Sequence, residues 1–310
     1  MIPNNKKIAG LIKAAAIELG FTACGISRAS FLEDEAKRLE QWLSSGMHAG
    51  MQYMEKNFEK RADPRRLFEG AKSVISVLHN YFPGDFQKDT LAPVVAKYAY
   101  GSDYHFVIKH KLNRLLEIIN KAAGNTKGRG FVDSAPVLDR AWAVRSGLGW
   151  IGKNNCLIAN EKGSFFFIGE IVADIELPPD KPFDENKCGD CRLCIDACPT
   201  GALTAPYLLD ARKCISYLTT QHKGALPEKM KGSMQNRVYG CDICQDVCPY
   251  NRNCVPHSEP LLKPHPEMLK LSAGEWQNME KEMFSRIFGR SVIGRSGFKM
   301  VKRNLEFLKS

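Results

Sequence analysis

Residues 6–20 place Ile8, Leu11, Ile12, Ala15 and Leu19 on one helical face, and Gly20 closes the run. Ser30-Phe31-Leu32-Glu33 reads as a capping box opening a second helix, with Leu39, Trp42 and Leu43 facing inward. Ser73-Val74-Ile75-Ser76-Val77-Leu78 reads as a buried strand. Residues 105–123 carry the clearest helical stripe, Val107, Ile108, Leu112, Leu115, Leu116 and Ile119, with Gly124 after it. Gly130-Phe131-Val132 is a short strand, residues 137–146 a helix, and residues 164–175 one or two apolar strands. Helices alternate with strands, so residues 1–180 are expected to form an α/β domain.

Pro178, Pro179 and Pro182 mark a boundary. Residues 181–255 are expected to be short helices and loops. Residues 256–310 open with Pro256, Pro260, Pro264 and Pro266 and turn helical through Trp276, Met283, Phe284, Ile287 and Phe288. The expected fold class is α+β or α/β: an N-terminal α/β domain, a bacterial ferredoxin-like two-cluster domain and a short helical tail.

The middle domain carries the chemistry. Cys188, Cys191, Cys194 and Cys198-Pro199 repeat the C-x2-C-x2-C-x3-C-P pattern of a bacterial ferredoxin. Cys241, Cys244 and Cys248-Pro249 form a second, incomplete copy. In two-cluster proteins the motifs exchange their fourth ligand. Cluster one is then expected on Cys188, Cys191, Cys194 and Cys248. Cluster two takes Cys198, Cys241 and Cys244, and is one ligand short because Val238 stands where a cysteine would; Cys214 is the available candidate. Structural zinc is the rival use of such cysteines, and two Cys-Pro-terminated motifs argue against it. Of the eleven cysteines, Cys24 and Cys156 lie in apolar surroundings and read as core residues, and Cys254 as a bystander.

The formal charge is +10, from 44 Lys and Arg against 34 Asp and Glu. A solvated basic surface and a polyanionic partner such as nucleic acid both fit. No apolar run approaches the ~20 residues that span a bilayer. The start, Met1 to Lys7, has no apolar segment after its lysines, so no signal peptide is expected and the chain reads as cytoplasmic, without a membrane partner.

About 180 residues precede the clusters, so the first domain is expected to house the electron acceptor. Gly147-Leu148-Gly149-Trp150-Ile151-Gly152 has dinucleotide-fingerprint spacing but follows a predicted helix, not a strand, and there is no P-loop. Asp133-Ser134-Ala135-Pro136-Val137-Leu138-Asp139-Arg140-Ala141 and Gly147 to Asn154 together resemble the epoxyqueuosine reductase family. So do Asp103-Tyr104-His105 and the paired Cys-Pro motifs with their long insertion. The resemblance spans about residues 5–255.

That resemblance implies a cobalamin-dependent iron–sulfur enzyme, related in fold to reductive dehalogenases. It implies reduction of the epoxide of epoxyqueuosine in a tRNA anticodon loop, the last step of queuosine synthesis. Histidine-ligated cobalamin proteins use D-x-H-x-x-G; here Asp103-x-His105 is followed by Ile108, so no histidine ligand is implied. A cobalt without a lower ligand favours Co(I), which low-potential clusters can supply. By resemblance Asp133 is the proton donor, a role that requires a raised pKa; the alternative is a cap on the helix near Pro136. Tyr104 and His105 orient Asp133 or the substrate, or are ordinary core and surface residues. Arg140 sits near the corrin or pairs with Asp139. Lys153 and Asn154 follow a glycine-rich turn suited to a large cofactor. By the same resemblance Ser216 and Asp242 are expected to flank cluster two and touch cobalamin, and Lys97 to approach the cobalt.

For tRNA, His222, Lys223, Lys229, Lys231 and Arg237 are the expected phosphate rim, with solvated charge as the alternative. Many relatives continue into a helical-repeat domain; Arg286, Arg290, Arg295, Lys299, Lys302, Arg303 and Asn304 read as only its start, ending at Ser310. A monomer and an external low-potential electron donor are expected. The competing readings are a small-molecule reductive dehalogenase-like enzyme and a diferredoxin-type electron carrier.

Overall fold

The computed structural model describes residues 5–309; Met1 to Asn4, where the leader reading began, and Ser310 lie outside it. Helix α1 (Asn5–Glu18) leads to strand β1 (Ala23–Arg28) and helix α2 (Glu33–Ser44). The Ser30 capping box does not form: Leu32 is the N-cap, without a side-chain hydrogen bond. Leu32 is fully buried and its N–H donates to Ala62 O at 2.8 Å, so packing sets where the helix begins.

Strand β2 (Ser73–Asn80), helix α3 (Tyr104–Ala123), strand β3 (Gly128–Phe131), helix α4 (Asp139–Arg145) and strand β4 (Phe166–Ala173) complete the first part. The sheet order is β1-β2-β4-β3. Every pairing within this sheet is antiparallel, as in the α+β alternative, while Val94–Val95 and Arg237–Tyr239 pair in parallel outside it. Alternating elements specify neighbours but not strand direction, which the intervening loops decide.

Side chains alternate across β2 and β4. Ile75, Val77 and Ile171 join Ile12, Ile108, Leu112 and Leu115 of α1 and α3 in the largest core. Val74, Val172 and Phe131 join Ala141 and Trp142 of α4 on the opposite face. Gly130 permits the close approach of α3: a Cβ there would stand 3.0 Å from Leu112 Cβ.

The tail does not stand apart. Trp276, Phe284, Ile287, Phe288, Val301 and Leu305 belong to the largest core. Arg303 donates to the carbonyls of Leu218, His222 and Gly224, and Asn304 to those of Thr219 and Val238. Two residues read as the start of a nucleic-acid clamp therefore fasten the cluster region to the tail. Among the described residues no helix is long and apolar enough to cross a membrane.

Candidate active site and cluster centres

A cavity of about 970 Å³ opens between the end of the sheet, the cluster region and the tail. Its walls include Tyr104, His105, Asp133, Arg140, Cys214 and Ser216, all singled out from the sequence. They also include Tyr53, Arg61, Tyr98, Phe167 and Tyr239, which no motif flagged, and Arg295, expected in the basic tail.

Asp133 follows β3 with φ of 51°, a left-handed conformation that costs a non-glycine residue about 1–3 kcal/mol. It does not cap α4, whose N-cap is Leu138. Instead its Oδ2 accepts a hydrogen bond from the Tyr104 hydroxyl and lies 3.4 Å from His105 Nε2. Tyr104 and His105 begin α3, which Asp103 caps. His105 Nδ1 lies 2.6 Å from Asp103 Oδ1. The Tyr104 ring stacks on Phe167 at 4.0 Å and on His105 at 4.2 Å. The α3 N-terminus thus fixes both partners of Asp133.

The charge state differs from the expectation. Burial pushes the Asp133 carboxyl up, but hydrogen bonds from His105 and Tyr104 outweigh it and hold the group below the usual carboxylate range. Burial pulls His105 down, yet Asp103 and Asp133 raise it to about 9. At neutral pH the pair is an imidazolium beside a carboxylate, and its mobile proton sits on His105. The side chain of Asp133 is nevertheless 61% exposed, facing into the cavity.

Four cysteines of cluster one, Cys188, Cys191, Cys194 and Cys248, line one pocket of about 180 Å³. Cys248 of the second motif thus stands beside three cysteines of the first. Lys153 and Asn154 line this pocket, not the large cavity. Lys153 Nζ donates to the carbonyls of Gly189 and Cys191, and Asn154 Nδ2 to Cys244 O at 3.3 Å. The glycines before them serve their own hairpin: a Cβ on Gly149 would meet Ile158 O at 2.1 Å. Cys198, Cys214, Cys241 and Cys244 form the second group, each within electrostatic reach of another. Cys214 places that group against the large cavity.

Other expectations move. Cys156, expected in the core, is half-buried beside Cys244. Cys24 does pack against the main core. Asp242 is buried and accepts from Lys97 N at 2.7 Å, while Lys97 Nζ pairs with Asp246. Both line a separate pocket of about 220 Å³ with Arg237. Together these contacts tie the Lys97 segment to the second cysteine motif. Arg140 donates to Asn155 O and not to Asp139.

Of the expected phosphate rim, His222, Lys223 and Lys229 share a groove of about 590 Å³ with Arg212. Tyr217 and Gln221 line both groove and cavity, joining them. Lys231 pairs with Glu228 at 2.7 Å, and Arg237 lies elsewhere.

A two-group cysteine module set against a proton-handling cavity defines an iron–sulfur oxidoreductase. Residues 187–251 match the family described as a 4Fe-4S double cluster binding domain, and residues 61–134 match Epoxyqueuosine reductase QueG, DUF1730. The chain is 51% identical to the epoxyqueuosine reductase of Cellulophaga algicola, over 98% of this chain and 99% of that one. It superposes with a TM-score of 0.91 on an epoxyqueuosine reductase solved with an epoxyqueuosine-modified tRNA-Tyr stem loop, at 32% identity over 98% of this chain and 81% of that one. A Bacillus subtilis epoxyqueuosine reductase, with its catalytic aspartate loop swung out of the active site, gives 0.90 at 32% identity over 98% and 82%. The chain belongs to the epoxyqueuosine reductase family. A reductive dehalogenase whose mechanism is B12-dependent shares the fold at a TM-score of 0.50 and 18% identity, over 98% of this chain and 38% of that one.

Proposed function

We propose that this chain reduces the epoxide of epoxyqueuosine in tRNA to queuosine, with electrons passing from an external low-potential donor through two 4Fe–4S clusters to cobalamin in the large cavity. One observation carries the reading. Cys214, a ligand of the second cysteine group, and the Tyr104–His105–Asp133 group stand in walls of the same cavity.

The cavity fits a large cofactor, being near the upper end of common ligand-site volumes. His105 is the histidine among its described wall residues, and both its ring nitrogens face aspartates. That supports a corrin held without a histidine ligand, between Arg140, Ser216 and the aromatic walls. Bound there, reduced cobalamin supplies a strongly nucleophilic, low-potential cobalt. The cysteine groups would hold clusters that carry one electron at a time.

The protein's own part is the proton. Opening an epoxide leaves an alkoxide, far more basic than Asp133 or His105. Tyr104 fixes the Asp133 carboxylate, His105 Nε2 holds the proton beside Oδ2, and the alkoxide draws it through Asp133. The groove of His222, Lys223 and Lys229 receives backbone phosphates while an unstacked base enters the cavity.

The test is anaerobic reconstitution with iron, sulfide and cobalamin, then reduction and incubation with epoxyqueuosine-containing tRNA. Mass analysis of the nucleosides should show cobalamin-dependent loss of one oxygen. Bound corrin with unchanged tRNA would point to a small-molecule enzyme, and clusters without corrin to an electron carrier.

A further inference from the structure

Converting an epoxide to an alkene breaks two carbon–oxygen bonds, forms a carbon–carbon double bond and releases the oxygen as water. It consumes two electrons and two protons. The His105–Asp133 pair holds one mobile proton, so a second must be supplied.

Beneath the Asp133 loop, Glu170 of β4 is 0% exposed, and neither carboxylate oxygen has a hydrogen-bond partner. It lies opposite Ser76 on β2 and Phe131 on β3. Asp139, the first residue of α4, leaves its buried Oδ1 equally without a partner. Helix α4 packs against β4, which brings the two unpartnered carboxyls face to face, within reach of one shared proton. Two carboxylates this close in a dry site do not both ionise. A proton between them supplies the donor that these oxygens lack.

The surroundings fix its place. Arg61, of the helix Phe58–Ala62, has a buried Nε without a partner and feels the charge of Asp139. Arg140 on α4 acts on Asp139 in the same sense. From the loop, Asp133 adds negative charge to both carboxyls. From β2, Ser76 is occupied with the Ser146 hydroxyl at 3.3 Å. Negative charge therefore settles on Asp139 and the proton on Glu170. Burial supports this, raising Asp139 to about 7 and Glu170 well above its ordinary value. Glu170 is sealed, whereas Asp139 is partly exposed and gives the proton a way out.

We propose that Asp139 and Glu170 share one proton beneath the Asp133 loop, and that this is the second proton consumed by the reduction. The first passes from His105 through Asp133 to the alkoxide as one carbon–oxygen bond breaks. The second passes from Glu170 to Asp139 and on through the Asp133 carboxyl, which lines the cavity, to the departing hydroxyl, which leaves as water while the double bond forms. The two electrons come through the clusters. Asp139 and Glu170 touch no substrate in this scheme and act as positioning residues for the proton. The inference rests on the reading of Asp133 and of the reaction given above.

The test uses reconstituted holoenzyme carrying Glu170→Gln or Asp139→Asn. Infrared spectroscopy at pH 7 should show a protonated buried carboxyl in the parent that disappears in Glu170→Gln. Conversion of epoxyqueuosine tRNA should slow about 10²-fold in either variant, losing its pH dependence near 7, with iron content and tRNA affinity unchanged. Near-UV circular dichroism of both variants separates this from unfolding. Parent-like rates and pH profiles in both folded variants would overturn the relay, and so would a parent without the infrared band. A parent that shows the band but leaves the epoxide intact would uphold the shared proton and overturn its destination, together with the function proposed above.

Discussion

The cluster module and the Asp133 cavity sit side by side and are built in opposite ways. All eight cysteines assigned to clusters lie between residues 188 and 248, in two short motifs plus Cys214. The cavity draws its walls from Met51 to Ser296, including the tail. A thiolate needs little beyond correct spacing to grip a cluster, because the iron–sulfur bond supplies the energy and most of the geometry. A carboxylate, imidazole and phenol need an assembled environment, because their proton affinities are set by burial and by one another. Electron chemistry is therefore written locally here, and proton chemistry globally.

The sharpest break in that comparison is Cys214, which belongs to both regions. Cys214→Ala should halve the bound iron and abolish turnover, whereas Cys254→Ala should leave iron content unchanged; iron and sulfide assays decide. If Cys214→Ala keeps all its iron, the ligand set is wrong. Asp133→Asn comes next and should leave clusters and bound corrin intact. Its turnover should fall by about 10²–10⁴, and an active variant would remove Asp133 from the mechanism.

His105 gives a smaller, pH-resolved effect. Its folded pKa, about 9, is raised, so its pairing stabilises fully below 6.5 and is lost as pH rises through about 9. Asp133 is held low, so its share is present above its ordinary 3.8 and fails as pH falls through its lowered value. Melting curves should show parent stability declining between pH 6.5 and 9, a decline that His105→Asn removes. The smallest effect is expected outside the cavity. Lys223→Ala with Lys229→Ala should weaken tRNA binding severalfold and flatten its log–log salt dependence by about 1 to 2. An unchanged slope would place the phosphates elsewhere.

Much of this was legible beforehand, unevenly. The stripe from Val107 to Ile119 predicted α3 and its end at Gly124, because a 20-residue amphipathic helix is a strong local signal. The Ser30 capping box failed because burial of Leu32 outweighed a side-chain cap. Asp133, Tyr104 and His105, expected from the sequence as one group, do meet, and their contact holds the Asp133 carboxyl low instead of raising it. Lys153, Asn154, Asp242 and Lys97, expected near the corrin, line smaller pockets around the cluster segments. Arg61 and Glu170 carried no motif, and only their burial marks them.

The cysteine spacing by itself determined that this chain binds clusters, and the ordered motifs from Asp103 to Asn154 determined its family. Ligand spacing survives as a sequence pattern because each loop wraps its own metal centre. Only the tertiary structure decided that the sheet is antiparallel, that the tail closes the cavity, and that His105 rather than Asp133 holds the resting proton. Strand direction, burial and charge pairing join residues tens to hundreds of positions apart, and no local pattern encodes the dielectric that a folded chain creates around them.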